Sequence, residues 1–256
     1  MITVIAHFRD EEYLLPWWLD HHRSIFDHGI LIDHGSTDRS VEICKHMVGH
    51  WKVIPTKLST FDSIDNEFEV MGIETEVSGW KMALNISEFL VAGDLRARLL
   101  RAERNDIMAI RSQGAVMVDV SPETEPLPDQ PLVRQKYTGY IEEGWRLGYA
   151  ARQFKKTAWR RRLIHRYPHG AYHPGRHSTF RHVDEKAKDI FTLWYGFAPW
   201  SDAYLRRKLS FANRISTEDK KAGRGLQHLR GRAVLDAERR RLAWIAYDLR
   251  PRIFPD

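Results

Sequence analysis

Cysteine is almost absent from this sequence, since Cys44 is the single one in 256 residues. One cysteine excludes an internal disulfide bond. The N-terminal stretch MITVIAHFRD lacks the basic start and the apolar core of a signal peptide. No apolar run approaches the length of a membrane span. These absences lead us to expect no transmembrane segment and a reducing, cytoplasmic setting.

Internal repeats and low-complexity tracts are also missing. The composition, 43% hydrophobic and 11% aromatic, is typical of a globular chain and excludes a disordered or fibrous one. A chain of 256 residues can bury a substantial core as one domain, or as one domain with a small appendage. We expect a main domain over residues 1–200 and a helical C-terminal extension over 201–256 packed on it.

Acidic residues are lacking from one long basic run, Arg152–Arg166, which carries seven Lys or Arg. A second basic series extends from Lys220 to Arg241, and the net charge is +6. Such runs face nucleic acid, acidic lipid headgroups or the phosphates of a small ligand, and they also occur as solvated helix faces. No motif that reads nucleic acid accompanies them, which disfavours a nucleic-acid partner.

Strand and helix patterns alternate in the N-terminal part of the chain. The segments ITVIAH, GILID, WKVIP and WKMALNI indicate strands, and helical patterns follow the first three. Strands that alternate with helices predict an α/β fold with a mostly parallel, doubly wound sheet flanked by helices. The stretch Ser121–Pro131 is acidic and rich in proline, which predicts a loop, and helices are expected from Ser201 onward.

Mostly uncharged polar side chains stand at the end of the fourth predicted strand, in the stretch NISE that begins at Asn85. The carboxyl ends of parallel strands meet at one sheet edge, where α/β proteins bind ligands. Asp33 ends the second strand, so its carboxylate either accepts hydrogen bonds from a base or ribose or only caps the following turn. Gly35 and Ser36 in that turn offer backbone room and N–H groups to a ligand.

Four histidines recur at every fourth position: His165, His169, His173 and His177. On a helix this spacing would make a metal-binding face. The prolines and glycines of HRYPHGAYHPGRHS exclude a continuous helix there. We expect instead a glycine-containing loop in which His173, Arg176 and His177 donate hydrogen bonds to a ligand, with ordinary loop packing as the alternative.

Three motifs in this order carry a family resemblance: FRDE at Phe8–Glu11, DHGSTD at Asp33–Asp38, and WKMALNISEFLV at Trp80–Val91. They resemble the bacterial family 2 type glycosyltransferases of the GT-A fold. Weaker similarity in HGAYHPGRHS and LWYGFAPWSDAYLRRK extends the resemblance over most of the chain. It implies a GT-A-like, Rossmann-like fold, with a nucleotide-sugar-binding and catalytic domain over residues 1–200. It also implies sugar transfer from a nucleotide-sugar donor to a hydroxyl acceptor, such as a surface glycan precursor.

The resemblance and the strand-end positions also yield candidate site residues. Those expected to contact the donor are Phe8, Arg9, Glu11, Asp33, Gly35, Ser36, Asn85, Ser87, His177, Arg214 and His228. Lys208 best matches the family's phosphate-facing lysine and is expected to act in catalysis. An inverting transfer also needs a general base, for which Asp119 is our candidate, with Glu123 and Glu125 as alternatives.

Carboxylates are missing where the family keeps the Asp-x-Asp motif that holds Mn²⁺ or Mg²⁺, because this chain has Asn85 and Ser87 there. Glu88 is the local carboxylate left as a metal ligand, and Trp194 stands where relatives often have a metal-binding histidine. These departures predict that Mn²⁺ or Mg²⁺ binds weakly, with the donor diphosphate, or not at all. Fixed cations, Lys208 first and then Arg214, would stabilise the phosphates instead.

Two other function classes stay open at this stage. A degenerate transferase would bind a nucleotide or a sugar without catalysis, and Asn85 and Ser87 would mark the lost chemistry. A nucleic-acid-binding protein would use the basic run Arg152–Arg166. Sugar transfer or donor hydrolysis separates the first class from an enzyme, whereas a steep salt dependence of binding identifies the second.

Overall fold

The computed structural model describes residues 1–141, 160–225 and 229–254. Its strands are β1 (Ile2–Phe8), β2 (His28–Asp33), β3 (Lys52–Pro55), β4 (Trp80–Asn85), β5 (Glu88–Ala92), β6 (Ala109–Val118), β7 (Thr138–Ile141), β8 (Leu163–His165), β9 (Glu185–Phe197) and β10 (Tyr247–Asp248). Its helices are α1 (Leu15–His22), α2 (Ser40–Met47), α3 (Asp65–Thr75), α4 (Leu95–Arg104), α5 (Leu132–Gln135), α6 (Asp202–Ser210), α7 (Thr217–Lys221), α8 (Arg232–Ala243) and α9 (Arg250–Ile253), with a 3-10 turn at Phe211–Arg214. His228 and most of the basic run Arg152–Arg166 lie outside the described residues.

The strands form one sheet in the order β10-β7-β6-β8-β4-β1-β2-β3, and β9 pairs with both β6 and β5. The first four strands are parallel to one another, as the alternation of strands and helices predicts. Beyond β4 the sheet is mixed, because β8 runs antiparallel to β4 and β6, whereas β9 runs parallel to β6. The predicted α/β class, a sheet flanked by helices, is confirmed.

Helices cover both faces of the parallel strands because successive side chains of a strand point to opposite faces. Val4 and Ala6 of β1 belong to one apolar core, which also contains residues of α1, α2 and α4. Ile5 between them belongs to a second core, with Val70 of α3. This alternation explains why the β1 stretch ITVIAH is mostly apolar, as strands buried on both faces are.

The register of the parallel strands brings three strand ends together. In β1, Phe8 pairs with Asp33 of β2, and His7 pairs with Asn85 of β4. The motifs that follow these strands therefore share one sheet edge, as the sequence predicts. The fourth strand ends at Asn85, one residue earlier than predicted, and a separate strand starts at Glu88 and runs antiparallel to β9.

The C-terminal region is largely helical, as predicted, but it also contributes strand β10, which pairs with β7 in the main sheet. The boundary between residues 200 and 201 stays a prediction. In the described part of the chain, no helix is both long enough and apolar enough to cross a membrane.

Candidate functional site

A cleft of about 1020 Å³ opens at the sheet edge formed by the ends of β1, β2 and β4. The rest of its lining includes residues of β9, of the loop around Gly175, of the loop after β3, of α3, of α8 and of the segment that contains α6 and α7. The candidate residues that line it are Phe8, Arg9, Glu11, Asn85, Ser87, His177, Lys208 and Arg214. Asp33, Gly35, Ser36, Glu88 and Asp119 are not among the lining residues, and His228 is not described.

Asp33 caps the turn that follows β2. Its Oδ1 accepts hydrogen bonds from the backbone N–H of Ser36 at 2.9 Å and from the Ser36 hydroxyl at 2.7 Å. Ser36 Oγ in turn accepts a hydrogen bond from the Asp10 backbone N–H at 3.1 Å, so the turn is tied to the loop after β1. Gly35 adopts a left-handed conformation with φ +74°, which favours glycine. The turn places His34 in the cleft, where the sequence pointed to Asp33.

Glu88, the expected metal ligand, is fully buried and forms a two-pronged ion pair with Arg162. Arg162 Nε donates to Glu88 Oε2 at 2.7 Å, and Arg162 Nη2 donates to Glu88 Oε1. Oε2 also accepts from the Asn85 backbone N–H at 2.8 Å. The other side of the Arg162 guanidinium contacts the Gly175 carbonyl and His177 Nδ1, at 2.7 and 3.0 Å. Through Arg162, Glu88 therefore anchors the loop that carries His177. A guanidinium occupies its carboxylate, where the sequence led us to expect a metal ion.

Asn85 offers its side-chain oxygen to an arginine. Arg176 Nη2 donates to Asn85 Oδ1 at 2.8 Å, and Arg176 Nε lies 3.2 Å from Glu67 Oε2. Ser87 meets the neighbouring strand through its backbone, since its carbonyl accepts from the Tyr195 N–H at 2.7 Å. At the position of the family's Asp-x-Asp motif the chain thus presents an amide that is bound to a guanidinium.

A cationic and aromatic wall closes the side of the cleft formed by β9 and α6. Lys208 Nζ lies 5.5 Å from the ring centre of Trp194 and 5.8 Å from that of Tyr204. The Arg160 guanidinium lies 3.5 Å above the same Trp194 ring. Burial, helped by the charges of Arg160 and Arg207, lowers the pKa of Lys208 to about 7. These cations repel one another, and an anion bound between them, such as the phosphates of a ligand, would relieve that repulsion.

Two ion pairs connect α6 and the 3-10 turn to the loop after β1. Arg207 Nη2 lies 2.5 Å from Glu11 Oε1, and Arg214 pairs with Asp10. Further contacts fasten the segment after the turn: the Phe61 N–H donates to the Arg214 carbonyl, and the Ser216 N–H donates to the Phe61 carbonyl. The N-terminal part of the chain and the segment from α6 to Ser216 thus form the same cleft.

Asp119, the predicted general base, lies outside the cleft and is buried in an ion pair. Lys136 Nζ donates to Asp119 Oδ1 at 2.9 Å, and the Trp200 N–H donates to Oδ2 at 2.9 Å. Glu123 and Glu125 belong to the predicted loop and do not line the cleft. The carboxylates that do are Glu11, Glu67, Glu218, Asp219 and Glu238.

Sequence reasoning missed several lining residues. His7 and His34 lie at or just after strand ends, a signal that could have identified them. Arg207 stands beside Lys208, yet nothing in the sequence separates it from the other cations of that stretch. Arg160 and Glu238 come from segments without any motif.

No family model and no curated protein matches the sequence. Among solved structures, S. aureus TarS 1–349 in complex with UDP has a TM-score of 0.36 and 12% identity, over 49% of this chain and 38% of that one. The longer S. aureus TarS structure has a TM-score of 0.35 and 12% identity, over 50% of this chain and 23% of that one. Mycobacterium tuberculosis glucosyl-3-phosphoglycerate synthase, in complex with Mn²⁺, UDP and glucosyl-3-phosphoglycerate, has a TM-score of 0.33 and 15% identity, over 44% of each chain. The chain thus spans less than half the length of each of these structures.

Proposed function

We propose that this chain is a GT-A-type glycosyltransferase, which binds a nucleotide-sugar donor in the cleft and transfers its sugar to a hydroxyl acceptor. The observation that carries the proposal is the wall of Lys208, Arg160 and Trp194 in a cleft at the carboxyl ends of parallel strands. Ligands of open α/β sheets bind at such an edge. The motifs FRDE, DHGSTD and NISEF, which end at this edge, support the same assignment.

Fixed cations take the electrostatic role that the family gives to a divalent metal. Asn85 and Ser87 are neutral, and Glu88 is already paired with Arg162. A leaving diphosphate needs positive charge close to it in the transition state, and preorganised side chains can supply that charge without reorganisation. Lys208 and Arg160 line the cleft and would supply this charge, so Mn²⁺ or Mg²⁺ would contribute little to donor binding.

The acceptor side needs a carboxylate that takes the hydroxyl proton. Asp119 remains our sequence-based candidate, but it would have to leave Lys136 and the Trp200 N–H before it could reach an acceptor. Glu238 already lines the cleft, where it pairs with Arg230 at 2.5 Å. Comparison of Asp119→Asn with Glu238→Gln, at unchanged donor affinity, would identify which carboxylate serves the acceptor.

A second candidate function is donor binding without transfer, favoured by the neutral Asn85 and Ser87. A thermal-shift panel of nucleoside diphosphates and nucleotide sugars, each with and without Mn²⁺, tests binding. A ligand at about 100 times its Kd stabilises the folded chain by about 2.7 kcal/mol. Release of nucleoside diphosphate from the best donor, with or without an acceptor glycan, then separates an enzyme from a binder. A panel without any stabilising nucleotide would contradict both candidates.

Replacement of Asp33 by alanine is expected to weaken nucleotide binding about tenfold to a hundredfold and to leave the fold intact, at a cost of about 2 kcal/mol in stability. The change removes the acceptor of two hydrogen bonds from Ser36, each worth about 1 kcal/mol, and frees the turn that positions His34. Calorimetric titration with the best nucleoside diphosphate measures the effect. The matched control is Asp20→Ala, since the Asp20 side chain is 51% exposed on α1. Equal nucleotide affinity in a folded Asp33 variant would refute this role.

A further inference from the structure

Two histidines and a glutamate converge on the β1–β2 side of the cleft. His7 belongs to the end of β1, His34 follows β2, and Glu69 belongs to α3. One ligand atom from each residue lies within 4.8 Å of the other two. His7 Nε2 lies 3.0 Å from Glu69 Oε2, and the ring centres of His7 and His34 are 4.7 Å apart. The backbone fixes this arrangement, because the His34 N–H donates to the Phe8 carbonyl at 2.9 Å.

The carboxylate of Glu69 is held in place by groups other than the histidines. Thr56 Oγ1 donates to Glu69 Oε2 at 2.7 Å, and the Lys57 N–H donates to Oε1 at 2.6 Å. Hydrogen bonds of this kind orient the ligands of metal sites. His34 Nε2, in contrast, is buried and has no hydrogen-bond partner within the described part of the chain. A buried ring nitrogen without a partner is unusual, since buried polar groups are normally satisfied.

Arg176 and Arg9 are guanidinium groups whose charges act on His7 and His34, respectively. Arg176 contacts Glu67 and Asn85, and Arg9 Nε lies 3.8 Å from Asp10 Oδ2. A cation between the histidines would therefore meet one carboxylate and two imidazoles, with two guanidinium groups nearby. Glu69 would offset one of the two charges of a divalent ion.

We infer that His7, His34 and Glu69 form a binding site for a divalent cation of the zinc type. Two imidazoles and one carboxylate are a known zinc ligand set, and nitrogen ligands favour Zn²⁺, Co²⁺ or Ni²⁺ over Mg²⁺ or Mn²⁺. Tetrahedral coordination at 2.0–2.1 Å requires ligand atoms about 3.4 Å apart, so the widest pair would approach by about 1.4 Å. His7 and His34 both line the cleft, which leaves the fourth position open to water or to a ligand atom.

This site is separate in its ligands and its metal preference from the Asn85 and Ser87 position, where the resemblance places Mn²⁺ or Mg²⁺. Zinc binding is measured without any nucleotide, so it can succeed or fail independently of the transferase proposal. If zinc binds and no nucleotide does, the metal site stands and the proposed function falls.

The experiment is a calorimetric titration of the chelator-treated 256-residue chain with Zn²⁺, alongside the His34→Ala and Glu69→Gln variants. We expect one equivalent of zinc in the parent and at least a hundredfold loss of affinity in each variant. Co²⁺ in place of Zn²⁺ should give the intense visible absorption of a tetrahedral site, and this absorption should vanish with His34→Ala. The control is His182→Ala, whose side chain is 79% exposed.

His34→Ala decides the result if Glu69→Gln fails to fold, because His34 Nε2 has no hydrogen bond to lose in the described chain. Retention of the parent zinc affinity and cobalt spectrum in a folded His34→Ala protein would overturn the proposal. So would a parent protein that takes up no zinc at micromolar concentration, or one that prefers Mg²⁺ to Zn²⁺.

Discussion

Replacement of Lys208 by alanine is expected to weaken binding of a nucleotide-sugar donor by about tenfold to a hundredfold. The reason is the loss of a charge-assisted contact with a phosphate, worth about 1.5–3 kcal/mol. Lys208 lines the cleft and its Nζ lies beside Trp194, so the change removes a positive charge from the wall. Excess EDTA should weaken binding less than this substitution does, because no carboxylate pair stands at the Asp-x-Asp position. Calorimetric titration with donor, with the unphosphorylated nucleoside as a second ligand, measures both effects.

The pH dependence of binding gives Lys208 a distinctive signature. Since its pKa in the free protein is about 7, Lys208 carries its charge below that pH and loses it as the pH rises. Donor affinity should therefore fall between pH 6 and pH 8 in the parent. A nucleotide sugar is the right ligand, because each of its two phosphates has one ester bond and one anhydride bond and does not titrate in this range. Arg160, Arg207, Glu11 and Glu238 also act on Lys208, so the comparison must be made within one protein.

Lys208→Arg should retain binding and lose the pH dependence, because a guanidinium stays protonated throughout this range. Lys45→Ala, an exposed change on α2, is the matched control and should leave affinity and its pH profile unchanged. The reverse ranking, in which EDTA abolishes binding and Lys208→Ala retains it, would show that a divalent metal performs the task assigned to the lysine.

Replacement of Glu88 by glutamine is expected to lower the free energy of unfolding by about 3–5 kcal/mol. The change leaves the Arg162 guanidinium, 1% exposed, without its counter-charge, and a buried unpaired charge is strongly destabilising. Loss of the pair would also release the loop at Gly175 and His177, which Arg162 holds. Urea denaturation followed by circular dichroism measures the effect.

The control for this prediction is Glu42→Gln on α2. Glu42 pairs with Arg39 at 2.9 Å, but its side chain is 65% exposed, and exposed pairs contribute about 0–1 kcal/mol. A Glu88→Gln protein that keeps its stability and loses affinity for Mn²⁺ or Mg²⁺ would restore Glu88 to the role of metal ligand.

The sequence predicts the parallel half of the fold well because its signals are local. The apolar stretches of β1, β2 and β4 and the polar motifs after them lie within the first 90 or so residues. The parallel register then brings Phe8, Asp33 and Asn85 to one edge without further information. The mixed half, from β5 to β10, depends on pairings between distant segments, which short-range patterns do not specify.

The environment of a charged side chain is what the sequence leaves undetermined. From the sequence alone we interpret Glu88 as a metal ligand, because its partner, Arg162, comes 74 positions later and is not recognisable as such. We likewise interpret Asp119 as a general base, because Lys136 and the Trp200 N–H, which bind its carboxylate, belong to other segments. Asp33 offered two interpretations, and the hydrogen bonds from Ser36 support the turn cap. In each case the residue type indicated what chemistry the side chain could perform. Its partner in the fold determines whether the side chain is available for a ligand.

The hydrogen bonds that join Phe61 to Arg214 and Ser216 have a consequence for hydrogen exchange. Both backbone contacts of Phe61 lie between segments more than 150 positions apart, at the rim of the cleft. Exchange of the Ser216 amide with solvent therefore requires the segment after α6 to separate from the loop after β3. A ligand that touches both segments resists that separation by its own binding free energy. The protection factor of the Ser216 amide should therefore increase when a ligand occupies the cleft, whose walls come from segments far apart in the sequence.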